Sequence, residues 1–306
     1  MRVTRTVKNI LANYESDNPG TKANLARILC TGKLAGTGKM IILPVDQGFE
    51  HGPARSFAPN APAYDPHYHY QLAIDAGLNA YASTLGMLEA GADTFAGQIP
   101  TILKINSSNS WATTKDQSVN ASVDDAIRLG CSAVGFTVYP GSEHALDLFE
   151  EFQMIAEEAK AKGLAVVLWS YPRGGDLSKD GETAMDVGAY AAHIAAELGA
   201  HIIKVKLPSA HLEQPEAKKA FEDAGIDLSD QAARVREVMR SSFNGRRIVV
   251  FSGGAKKGAN SVYDDARAIR DGGGNGSIIG RNTFQRPREE AIAMLNEIID
   301  IYKGKA

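Results

Sequence analysis

The stretch GAHIIKVKLPSA, residues 199–210, sets two lysines, Lys204 and Lys206, inside a run of isoleucine, valine and leucine. A short run of β-branched apolar residues between glycine and proline reads as a buried strand. Side chains alternate faces along a strand. Ile203, Val205 and Leu207 therefore share one face, and Lys204 and Lys206 share the other. Amines seldom face a core. Two on one inward face call for an explanation from the rest of the chain.

Outward from that strand, short β-rich runs alternate with longer helical patterns. The candidate strands are MIILPVD (40–46), NAYAST (79–84), TILKIN (101–106), SAVGFTV (132–138), LAVVLWS (164–170), HIIKVKL (201–207), RIVVFSG (247–253) and GSIIG (276–280). Helical spacing lies between them, as in EHALDLFEEFQMIAEEAKAKG and TAMDVGAYAAHIAAELG, and PREEAIAMLNEIIDIYKG follows the eighth strand. Several of these stretches end in glycine, as helix C-termini do. Eight strand–helix units predict an α/β fold of the (β/α)8 TIM-barrel class, with a doubly wound open sheet as the rival. The barrel is expected over residues 39–306 as one catalytic domain, and residues 1–38 as an N-terminal helical extension over its bottom. The proline-rich FAPNAPAYDPHYHY (57–70) is expected as a loop that either shapes the mouth or merely connects.

Bulk composition narrows the function. The 306 residues are 44% hydrophobic and 23% charged, ordinary for a chain with a well-filled core. A net charge of −3 gives no basic field to attract nucleic acid. No apolar run approaches the roughly 18 residues that a membrane span needs. The N-terminal MRVTRTVKNILANYESDN lacks the apolar core of a secretory signal. Two cysteines, Cys30 and Cys131, make neither a disulfide framework nor a thiolate zinc site, so a reducing, cytoplasmic setting is expected. HYHY (67–70) has no HExxH motif or carboxylate cluster beside it, and reads as surface or interface rather than metal.

In a (β/α)8 barrel, chemistry sits at the C-terminal ends of the strands. On strand six, an amine in an apolar pocket near another cation loses its proton easily and can attack a carbonyl. A structural lysine paired with a carboxylate is the plainer reading. Strand five ends in LWSYPRGG, where Trp169 can wall a pocket and Tyr171 can pass a proton, unless both simply pack. Strand one ends in PVDQGFEHG, offering Asp46, with Glu50 and His51 in the following loop, as proton acceptors or as caps. Ser252, Gly253 and Gly254 follow strand seven; Gly280 and Arg281 follow strand eight. Barrels bind phosphate at this place, with glycine admitting the anion to backbone N–H groups and arginine adding a charged fork. Lys104 on strand three reads either as a third cation near substrate or as a partner of Asp46 or Glu50.

PVDQGFEHG, WSYPRGG, IIKVK, SGG and IIGRN, in this order, resemble the class I fructose-bisphosphate aldolases of the archaeal and bacterial type, the DhnA/FbaB group. The resemblance spans nearly the whole chain from about residue 40. It implies a barrel that cleaves fructose 1,6-bisphosphate to dihydroxyacetone phosphate and glyceraldehyde 3-phosphate through a lysine Schiff base. It implies no metal and no cofactor. It also implies a homo-oligomer, up to a decamer, with a small sugar phosphate as partner and neither nucleic acid nor membrane. By position it carries the Schiff-base lysine to Lys204, the proton-transferring tyrosine to Tyr171, the pocket tryptophan to Trp169, the strand-one aspartate to Asp46 and a residue near substrate to His51. Phosphate binding goes to Ser252, Gly253, Gly254, Gly280 and Arg281. Lys206, which is not general in the group, is expected among the substrate- and phosphate-binding residues and as a like-charge neighbour lowering the pKa of Lys204. The alternatives are a related Schiff-base or transaldolase-like enzyme on another sugar phosphate, a metal-dependent barrel lyase with Asp46, Glu50 and His51 as ligands, and a non-catalytic sugar-phosphate sensor.

Overall fold

The computed structural model describes residues 2–254 and 257–306. Eight parallel strands close into a barrel: β1 (Met40–Val45), β2 (Ala80–Ser83), β3 (Thr101–Lys104), β4 (Ala133–Val138), β5 (Ala165–Ser170), β6 (Ile202–Lys206), β7 (Ile248–Ser252) and β8 (Gly276–Ile278). Chain order is ring order, and β1 meets β8 to close it, with Met40, Ile41 and Ile42 opposite Gly276, Ser277 and Ile278. The open-sheet rival is thereby excluded.

The alternation along β6 works as its sequence predicts. Ile203 and Val205 join the outer core against the helices. Ile202 joins the inner core with Met40, Ile42, Ile102, Val167, Ile248, Val250 and Ile278. Several inner positions are alanine, at 80, 82, 133 and 165. These small residues leave central room, which Trp169 takes up. Its indole lies over Gly135, where a Cβ would come 2.2 Å from the ring. Gly135 is therefore obligatory for this packing, a constraint on β4 invisible in the spacing of its strand.

The third strand is shorter than expected. It stops at Lys104, and Asn106–Ser107 turns away to form a two-residue antiparallel ribbon with Ser118–Val119. The Asn106 side chain takes over the ladder: its Oδ1 accepts the Thr137 N–H at 2.7 Å and its amide donates to the Thr137 carbonyl at 2.8 Å. The 57–70 stretch is likewise more ordered than a loop. It holds a 3₁₀ turn, Ala61–Tyr64, and opens the helix Pro66–Ala76. His69 is fully buried, not superficial as HYHY suggested; its Nε2 bonds the Ala63 carbonyl, and its ring packs on Phe57 and Phe284. Asn60 donates to the Phe284 carbonyl, so this segment braces the loop after β8 from behind.

Helices Arg5–Ala12 and Pro19–Leu29 bring Val7, Leu25, Ile28 and Leu29 onto the inner core. Tyr14, between them, donates to the His201 carbonyl at 2.6 Å and accepts from the Ile248 N–H at 3.1 Å. One hydroxyl thus satisfies two backbone groups where β6 and β7 begin. His201 accepts the Val166 N–H on Nδ1 and faces Asp17 through Nε2 at 3.0 Å, which fixes its neutral tautomer. Burial holds its basicity below the usual histidine range. Tyr14→Phe should leave both backbone groups buried and unpaired, lowering stability by about 1–3 kcal/mol. A denaturant midpoint, compared with turnover per folded molecule at the opposite end of the barrel, separates this loss from a catalytic one.

Candidate active site

The C-terminal ends of the strands surround a pocket of about 670 Å3, open mouth included. Every residue assigned to the site from the sequence lines it: Asp46, His51, Trp169, Tyr171, Lys204, Lys206, Ser252, Gly253, Gly254, Gly280 and Arg281. Glu50, Gln47, Thr137, Arg173, Pro44 and Ile278 complete the wall.

Its electrostatics start at β1. Asp46 precedes a short helix, Gln47–His51, and does not cap it. Its carboxylate instead lies 3.1 Å from the amine of Lys104, at the end of β3. One helical turn later Glu50 folds back to the same amine, 2.8 Å away. Lys104, 1% exposed, is thus held by two carboxylates and partners both of its candidates. Burial works against its charge, but Glu50 and Asp46 outweigh that and raise its pKa. Burial would raise Asp46; Lys104 and then Lys204 prevail, and it stays ionised below the ordinary carboxylate range. With both carboxylates given to a lysine, the ligand set of the metal-lyase alternative is already engaged. Among the described residues no group of three or more His, Cys, Asp or Glu could hold a metal ion.

Lys204 is the second amine, 4% exposed, opposite Trp169 on β5 and Val250 on β7. Its nitrogen sits 5.2 Å from the Trp169 ring centroid and 5.4 Å from that of Tyr171. Burial is the main force lowering its pKa to about 8; Asp46 and Glu50 oppose, while Lys104 and Arg281 assist. At pH 7 about a tenth of this amine is neutral, against well under a thousandth for an ordinary lysine. The assisting cations are Lys104 and Arg281, and the Lys206 amine turns to Glu182, 3.2 Å away on the single turn Gly181–Thr183.

Tyr171 is half-buried and its phenol is pushed up, by burial first and then by the charges of Asp46 and Glu50, so it stands protonated. His51 is pulled down by burial, with Arg281 and Arg55 assisting against Glu50, and its Nε2 lies 3.9 Å from Glu50. On the other side, Gly254 has φ +68°, a left-handed conformation that glycine adopts without strain. A Cβ on Gly280 would come 2.8 Å from the Pro44 carbonyl, so the β8 loop can close on β1 only with glycine there. Arg281 makes no hydrogen bond or ion pair among the described residues. Two residues beyond the sequence reading shape this wall. Asn282 donates to the Gly253 carbonyl and accepts the Lys257 N–H, joining the two loops. Arg173 faces the Tyr139 and Tyr171 rings at 5.3 and 5.5 Å and reaches a second groove lined by Ser108, Asn109, Thr114 and Lys115. Asn282 is the last residue of the quoted IIGRN and Arg173 lies within the quoted WSYPRGG, but nothing in their spacing marked either.

A closed (β/α)8 barrel whose mouth holds a desolvated, partly deprotonated lysine beside an ionised aspartate and a neutral tyrosine defines an amine-nucleophile enzyme. Residues 40–286 match a family model described as DeoC/LacD family aldolase, and the chain belongs to that family. It is 38% identical over 315 residues to the probable fructose-bisphosphate aldolase class 1 of Chlamydia trachomatis, covering 97% of this chain and 88% of that one. To the class 1 fructose-bisphosphate aldolase of Thermoproteus tenax it is 37% identical over 271 residues, covering 88% and 91%. A solved Schiff-base-forming fructose-1,6-bisphosphate aldolase superposes with a TM-score of 0.73 at 33% identity, over 87% of this chain and 95% of that one. Among the described residues no helix is long and apolar enough to cross a membrane.

The buried amine carries a stability cost. Its depressed pKa corresponds to roughly 3 kcal/mol disfavouring the ammonium inside the fold. Below pH 8 both folded and unfolded chains hold the proton, so the cost is complete; it fades as pH rises through 8 toward the unfolded lysine's range. Lys204→Met should therefore abolish turnover and raise stability at pH 7 by about 1–3 kcal/mol, the gain shrinking above pH 9. Thermal melts across pH check both sign and window.

Proposed function

We propose that this chain is a class I, Schiff-base fructose-bisphosphate aldolase, reversibly cleaving fructose 1,6-bisphosphate to dihydroxyacetone phosphate and glyceraldehyde 3-phosphate in glycolysis and gluconeogenesis. One observation carries the reading: the desolvated Lys204 amine, with its pKa about 8, in a pocket that also presents Ser252, Gly253, Gly254 and Arg281, which makes no hydrogen bond or ion pair among the described residues. Catalysis is assigned to residues 39–306, with 1–38 as an appended extension, since every site residue falls between 46 and 281.

In this reading the neutral Lys204 amine adds to the C2 carbonyl. Loss of water from the carbinolamine gives an iminium. The C3–C4 bond then breaks, its electron pair moving toward the iminium to form an enamine, while the C4 hydroxyl proton passes to a base and C4 leaves as an aldehyde. Asp46, held ionised by Lys104, suits the acceptor; Tyr171, held neutral, suits the donor that reprotonates C3. Hydrolysis of the new iminium frees dihydroxyacetone phosphate and restores the amine. Trp169 walls the apolar side that keeps Lys204 desolvated. The C1 phosphate is assigned to the loops after β7 and β8, with His51 near the sugar. The second phosphate is assigned to the adjoining groove, where Arg173 and Lys115 offer positive charge.

Borohydride reduction with dihydroxyacetone phosphate should add mass to the peptide holding Lys204; an adduct on Lys206, or none, rejects the assignment. The trapping rate should climb with pH through a midpoint at about 8 and level off roughly one pH unit higher, following the neutral amine. Tyr171→Phe should still trap but lose turnover by about two orders of magnitude or more. Arg173→Gln should raise KM for fructose 1,6-bisphosphate roughly tenfold while altering KM for fructose 1-phosphate far less. Equal changes for both sugars would remove the distal phosphate from this groove.

A further inference from the structure

Lys206 lies two residues beyond Lys204 on the same inward face of β6, nearer the mouth. In the barrel register its partner on β7 is Ser252, the last residue of that strand, directly before the glycine loop. Lys206, Ser252, Gly253, Gly254 and Arg281 line one pocket. A cation therefore stands beside the anion cradle, yet its amine is turned to a carboxylate, Glu182, 3.2 Å away.

That carboxylate is not needed to hold its own loop. The loop after β5 is tied to the loop after β6 by other bonds. Ser178 donates its N–H and its hydroxyl to Glu213, Ser209 donates to the Thr183 carbonyl at 2.7 Å, and Met185 donates to the His211 carbonyl at 2.8 Å. Gly181 fits directly against the Glu213 carboxylate, where a Cβ would come within 2.6 Å. Glu182 also has a second cation, Lys179, at 3.0 Å. Losing Lys206 would leave Glu182 paired and the loop anchored. Among the described residues Lys206 has no such reserve: Arg173 adds repulsion, and its side chain is 28% exposed at the pocket wall. A phosphate carries more charge than a carboxylate and offers three acceptor oxygens.

We propose that Lys206 reads the phosphate of the substrate by exchanging partners, with Glu182 occupying its amine in the empty site and yielding it when a phosphate settles against Ser252, Gly253 and Arg281. Glu182 then acts as a built-in competitor that weakens phosphate binding, so the pair sets phosphate affinity and product release. This rests on the reading above only for where the sugar phosphate sits.

Calorimetric titration with inorganic phosphate tests it directly. Lys206→Met, which keeps the apolar stem, should weaken binding roughly tenfold or more. Glu182→Gln should tighten it, and the double variant should match Lys206→Met, because Glu182 acts only through Lys206. If Glu182→Gln weakens binding as Lys206→Met does, the pair is a structural clasp and the proposal falls. It falls equally if Lys206→Met binds phosphate like the parent. Borohydride trapping with dihydroxyacetone phosphate and with phosphate-free dihydroxyacetone separates the two readings. A parent that traps neither ketone at Lys204 refutes the aldolase reading and leaves the phosphate titration to judge Lys206. A parent that traps both, with the same preference between them in Lys206→Met, refutes only the exchange.

Discussion

Everything at the mouth of this barrel depends on which lysine holds the carboxylates. Two amines and two acids share a space nearly closed to water. Lys104 takes Asp46 at 3.1 Å and Glu50 at 2.8 Å. A buried charge with good partners keeps its proton; one without loses it. Lys104 is thereby fixed as ammonium, Asp46 as carboxylate, and the desolvation is left to act on Lys204. The same arrangement serves three ends. It lowers one amine, keeps one base ionised, and adds a second positive charge that further discourages protonation of Lys204. If Glu50 and Asp46 had instead met Lys204, the barrel would hold an inert ion pair at its centre.

Backbone choices far from the charges enforce that division. β3 has to stop at Lys104 so that the amine points up at the β1 loop, and Asn106 completes the ladder that the departing strand would leave unsatisfied. The helix Gln47–His51 has to begin directly after Asp46 so that Glu50 returns one turn later to the same amine. Trp169 needs Gly135 beneath it to lie flat enough to flank Lys204. None of these contacts involves a loop that moves freely. Each is set by a strand end or by the first turn of a helix, the stiffest places in a barrel from which to aim a side chain.

Local pattern carried much of this and long-range pairing little. The eight strands were legible because each is short, β-branched and spaced by helical repeats. The facing of Lys204 and Lys206 followed from period two alone. The site was legible as a set because strand ends are easy to find and barrels put their chemistry there. Which lysine serves which acid was not legible. Lys104, Asp46 and Glu50 are near one another only because β1, β2 and β3 are neighbours in the ring, and sequence spacing carries no register. The same limit hid the partner of Lys206, Glu182, which comes from a turn after the preceding strand. His69 was misread because a histidine beside tyrosines looks polar in sequence, while the fold closes Phe57 and Phe284 around it.

The two ends of the barrel handle polarity in opposite ways. At the bottom, Tyr14, His201 and Asp17 form a network with each buried donor matched to an acceptor, and the inner side chains above it are aliphatic. At the top, a lysine is left short of the partners it would need to stay charged. Such a cost of roughly 3 kcal/mol is a sizeable share of the 5–15 kcal/mol by which domains are stable, so it has to rest on a well-satisfied foundation. The helices before β1 contribute to that foundation by adding Val7, Leu25, Ile28 and Leu29 to the inner core. The polar network and this aliphatic layer supply stability at one end of the barrel that offsets the desolvated amine at the other.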